Sequence, residues 1–146
     1  MNPLIASLLL LLAVFSYSHS SSLQEALVLA GNDYEHNLSF DEAKNSEGIK
    51  RLLDSEQAAQ KWQFFYFCET GKNNKTCGSW VDEKGNKIKG AGISVKRTTD
   101  GALLSKLSVK DAGSYTRVPE NKDANQAYLE RVHVNVQSLP PPPPKY

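Results

Sequence analysis

Short runs in which apolar and polar residues alternate recur along this 146-residue chain at spacings near ten residues. That rhythm restricts the fold more than any other feature. Tyr34, His36, Leu38 and Phe40 alternate with Glu35, Asn37 and Ser39, and Val132, Val134 and Val136 alternate with Arg131, His133 and Asn135. Successive strand side chains point to opposite faces, so each run predicts a half-buried strand, the first set on the core and Asn37 in water. Residues 80–86 predict a strand ending in a turn, and Gly90 and Gly92 bracket another turn. Residues 93–97 predict a short strand, and Thr99-Asp100-Gly101 a turn that opens a strand over 102–109. Six or more such strands predict an antiparallel sandwich or barrel.

Two segments resist a single reading. Residues 62–67 form a dense aromatic strand in which Trp62, Phe64 and Tyr66 share one face while Phe65 and Phe67 share the other. Both faces want cover, from the core, a loop or a second chain. Over 41–60, Ile49, Leu52 and Leu53 fit one helical face, and Ser39-Phe40-Asp41-Glu42 resembles a capping box. Residues 48–53 also fit a strand, and the surrounding strands favour that choice.

The N-terminus reads as an address. None of the first 20 residues is charged, and the apolar run over 4–15 is shorter than the roughly 20 residues a membrane-crossing helix needs. Small residues Ser16, Ser18 and Ser20 follow, so 1–20 is expected to be a cleaved signal peptide, with an uncleaved anchor as the alternative. No membrane span is expected after cleavage. Asn37-Leu38-Ser39 and Asn74-Lys75-Thr76 are glycosylation acceptors. In the oxidising compartment these signals imply, the two cysteines, Cys68 and Cys77, are expected to form a disulfide.

Residues 101–117 carry the most specific pattern. Asp111-Ala112-Gly113-Ser114-Tyr115, preceded by Leu104 and Leu107, resembles the passage from strand E to strand F in immunoglobulin superfamily domains of the I or V type. The resemblance implies an immunoglobulin-like antiparallel sandwich over 22–137, a tyrosine corner built by Asp111, Gly113 and Tyr115, and a basic partner for Asp111, for which Arg97 is the candidate. Gly113 is expected to allow a tight turn. Arg117 stands where the family carries its second inter-sheet cysteine, so that bridge cannot form. In one register Cys68 lies on strand B and Trp80 on strand C. In the preferred one, 27–29 is strand A, 34–40 strand B, 48–53 strand C and 62–68 strand C′. The Phe67-Cys68, Cys77, Trp80-Val81-Asp82, Gly85 and Lys87 positions, with 100–103 and 111–115, are similar to those of small secreted nematode immunoglobulin-like proteins.

Chemistry is absent from the sequence patterns. There is no nucleophile elbow, metalloprotease helix or phosphate loop, and the three histidines are scattered, so neither an enzyme nor a metal or cofactor site is expected. With 17 Lys and Arg against 16 Asp and Glu, no basic stripe for nucleic acid forms. The proline run 140–144 within the tail 138–146 predicts a stiff polyproline spacer. The leading expectation is a secreted, non-catalytic module that binds an extracellular protein or glycan, with Phe65, Phe67, Arg131 and His133 as its binding face. That face could also join copies of the chain. An inhibitor or defence effector acting through loop 69–76, and an extracellular structural component, are the alternatives.

Overall fold

The computed structural model describes residues 23–40, 43–70 and 75–145. The expected signal peptide, the acceptor Asn74 and the acidic half of the capping box, Asp41 and Glu42, lie outside them. Among the described residues, nine strands form two sheets. One has six strands: β1 (Gln24–Leu29), β9 (Val132–Gln137), β8 (Gly113–Val118), β3 (Gly48–Leu53), β4 (Gln63–Tyr66) and β5 (Trp80–Val81), in that order. The other has three: β2 (Tyr34–Asn37), β7 (Gly101–Leu104) and β6 (Val95–Arg97). All pairings are antiparallel except β1 with β9. This is an immunoglobulin-like sandwich, β2, β7 and β6 acting as strands B, E and D, and β9, β8, β3 and β4 as G, F, C and C′. The preferred register is therefore the one the chain adopts.

Alternation selects what lies between the sheets. Ile49, Phe65, Trp80, Tyr115, Val134 and Val136 from the large sheet meet Leu104 and Ala102 from the small one, with Leu38 and Leu107 from the adjoining loops. Phe65 sits between Ile49 and Trp80 in the ladder and packs edge-on to the Trp80 ring, centroids 5.5 Å apart. Residues 48–53 are strand, because β3 bonds on both sides, to β4 and β8. Phe40 departs from expectation: β2 ends at Asn37, the alternation lapses, and the ring is 38% exposed. The strand expected over 102–109 ends at Leu104, because the chain then turns through a left-handed Lys106 toward a short 3-10 turn at Val109–Asp111. One helix went unread, α1 (Ala124–Glu130), whose cap is Asp123: its carboxylate accepts from Asn125 N and Gln126 N.

A charged group lies in this core. Arg51 is 1% exposed and each nitrogen of its guanidinium has a partner: Nε donates to Gln63 Oε1 (2.9 Å), Nη2 to the Ala91 carbonyl (2.9 Å), and Nη1 pairs with Asp111 Oδ1 (3.2 Å). It also lies over the Trp80 ring at 4.0 Å. Arg97, the expected partner of Asp111, instead donates to the Lys44 carbonyl and sits over Phe67. Register gives Asp111 this partner rather than Arg97, since β3 lies beside β8 whereas Arg97 is on β6 in the opposite sheet.

Candidate interaction face

The corner that identifies the fold is assembled as a unit. Tyr115 Oη donates to the Asp111 carbonyl (2.5 Å), and Asp111 Oδ2 accepts from Ser108 N and Oγ (2.8 and 2.9 Å). Burial pushes the Tyr115 phenol up to about 12, against the pull of Arg51. Gly113 serves a different purpose from the tight turn expected: a Cβ there would collide with the Leu52 carbonyl oxygen and come within 2.8 Å of Leu53 Cα, so glycine permits the close approach of β8 to β3. Where an inter-sheet cysteine is missing, Arg117 is buried and ion-paired to Glu130 of α1 at 2.7 Å. Across the interior, burial lowers the His36 pKa to about 4, opposed by Glu130, while Tyr34 Oη lies 3.3 Å from His36 Nδ1. Cys68 and Cys77 are bridged, Cα atoms 5.0 Å apart.

The expected binding face needs a correction. Phe65 and Phe67 are 5% and 3% exposed, both in the core, so neither presents a surface to a partner. The other aromatic set faces out. Trp62, Phe64 and Tyr66 are half-buried on the outer side of the large sheet, with Phe64 and Tyr66 stacked at 6.3 Å and 9° between planes. Sequence alternation had already separated the two sets; what it lacked was the register of β4 against Ile49 and Trp80.

Arg131 and His133 do lie on this outer side, in a network that also draws in Lys50 and Glu120. Lys50 Nζ is 4.5 Å from the Trp62 ring centre and Arg131 Cζ is 5.0 Å from it. Glu120 joins the two cations, at 3.2 Å from Lys50 and 3.0 Å from Arg131. Farther along, His133 Nε2 meets Asp54 at 3.0 Å. Thr116, opposite Lys50 in the ladder, is fully buried, so these side chains cover the sheet and form a continuous skin. Its rings and mixed charges suit contact with another macromolecule rather than chemistry on a small molecule. Asn37 is exposed, and its Oδ1 accepts from Ser39 N and Oγ (2.8 and 2.7 Å).

No family model matches the chain, and no curated protein matches it. Among solved structures it is similar to one titled "Crystal structure of CD84: Insite into SLAM family function", at 10% identity and a TM-score of 0.41, covering 81% of this chain and 100% of that one. At that distance the strand order and the tyrosine corner, rather than this likeness, carry the fold.

Proposed function

We propose that this immunoglobulin-like chain is an extracellular, non-catalytic recognition module that binds a protein partner through the outer face of its large sheet. The observation that carries this reading is the cluster of Trp62, Phe64 and Tyr66 with Lys50, Glu120 and Arg131. Aromatic and arginine side chains dominate binding energy at protein interfaces, and these are already held by stacking and ion pairs, so little ordering remains to be done on contact. Secretion follows removal of residues 1–20, and the Cys68–Cys77 bridge suits an oxidising compartment. Asn37 and Asn74 carry glycans in this reading.

Two measurements test it. The mass of the protein recovered from culture medium, before and after reduction and deglycosylation, reports the cut near residues 18–20, the bridge and both glycans; protein retained inside cells with Met1 still present overturns secretion. Binding is tested against an array of extracellular ectodomains that includes the chain itself. Phe64→Ser with Tyr66→Ser is expected to weaken any captured partner at least tenfold while the variant, though less stable, remains folded at the binding temperature, as its thermal midpoint reports. Undiminished binding by that double variant rules the face out.

A further inference from the structure

Among the described residues, one long side of the sandwich is open. In the A-B-E-D sheet of immunoglobulin domains strand B has a neighbour on each side. Here the first described strand, β1, pairs with β9 in the large sheet, and among the described residues β2 has only β7 beside it. Leu38 N donates to the Asp100 carbonyl at 2.8 Å, which sets the phase of the ladder. Tyr34, His36 and Leu38 therefore turn their backbone groups toward β7, and Glu35 and Asn37 turn theirs to the open edge. Among the described residues these edge groups have no backbone partner.

A groove of about 550 Å³ runs along that edge, between β2, the start of β1 and α1. Phe40 and Leu129, 38% and 40% exposed, are its large apolar groups. Among the described residues its charged groups are Glu25, Glu35 and Glu130, with no Lys or Arg. Glu130 is offset by Arg117 and the Glu35 carboxylate reaches across β7 to Thr98 Oγ1, which leaves Glu25 as the carboxylate on the rim.

We propose that this groove takes an extended, lysine- or arginine-bearing segment of another protein as an added strand on β2. Only extended backbone presents donors and acceptors at the two-residue spacing of Glu35 and Asn37, and its alternate side chains then fall on Phe40 and Leu129. Glu25 favours a cationic side chain beside it. The chain's own proline run cannot fill the role, because proline has no N–H to give a ladder. Alternation points the Asn37 side chain off the sheet face, so a glycan there stands beside the edge rather than on it.

The test is a nuclear magnetic resonance titration of the secreted chain with three capped hexapeptides: alternating Lys-Val, alternating Glu-Val, and the Lys-Val peptide with a central proline. The Lys-Val peptide is expected to slow exchange of the Glu35 and Asn37 amides at least tenfold and to shift resonances of Phe40 and Leu129. The other two should bind at least tenfold more weakly. Asn37→Pro, which removes an edge N–H and no bond to β7, should abolish the protection. Should that variant fail to fold, Glu25→Lys with Glu35→Lys must reverse the preference toward the Glu-Val peptide. Equal binding of all three peptides, shifts confined to Trp62, Phe64 and Tyr66, or amides already protected without peptide, as when a second copy or the chain's own N-terminal segment sits there, each overturn the proposal.

Discussion

At the scale of single residues, two buried polar groups set the conditions under which this core is stable. Arg51 is surrounded by acceptors, and removing one partner of a buried pair strands the other; Arg51→Met is expected to cost about 3 to 5 kcal/mol. In a double-mutant cycle with Asp111→Asn, urea unfolding should return a coupling above about 1 kcal/mol, because the two side chains share one network. Additive losses would mean that they act separately. His36 gives a pH signature of known sign. Its pKa, about 4 in the fold, lies below the ordinary 6.5, so the unfolded chain takes up the proton first, and stability falls as pH drops from about 6.5 toward 4. The full penalty is about 3 kcal/mol, and His36→Gln should flatten the wild-type slope of unfolding free energy in that window. An unchanged slope would place the acid sensitivity elsewhere. The sequence marked His36 as inward-facing from its alternation. It could not report the charge state, which depends on what buries the ring.

Among the elements, contact between β8 and β3 is set by a missing side chain. Gly113 faces Leu53 across the ladder, and a methyl group there overlaps the Leu52 carbonyl, so Gly113→Ala should lower stability by about 1 to 3 kcal/mol. Chemical unfolding would show it, and a neutral result would mean that the strands can separate without cost. Strict alternation made β9 legible, because it buries one side against a sheet, whereas β3, with Gly48, Ile49, Arg51 and Leu52 all buried, was legible as a strand only from its surroundings. The 102–109 region and α1 were not. Leu104 and Leu107 both enter the core, yet from a strand and from the loop after a left-handed residue, so their apolar character does not reveal the break. The helix is only seven residues long, with Ala127 its one buried residue, which leaves no amphipathic stripe to detect.

For the whole molecule, a local bridge stands in for an inter-sheet one. Cys68 and Cys77 close a loop at the exit of β4, and Cys68→Ser with Cys77→Ser is expected to cost about 2 to 3 kcal/mol, read from the denaturation midpoint, while the two sheets still assemble through Phe65, Trp80 and Tyr115. Loss of the folded state altogether would show that the bridge, not the core, holds the sandwich. The outer face and the open β2 edge lie on different sides of the large sheet and its flank, so a partner at one leaves the other free. The amino-acid order alone determined the strand rhythm, the 101–117 corner passage, the pairing of the two cysteines and the separation of the aromatic run into two sets, because each is a local pattern within a few residues. Tertiary structure decided which aromatic set is core, that Arg51 rather than Arg97 answers Asp111, and that, among the described residues, β2 has only β7 beside it. Those outcomes depend on strand register and on which sheet receives each strand, and both are settled by contacts between residues tens of positions apart.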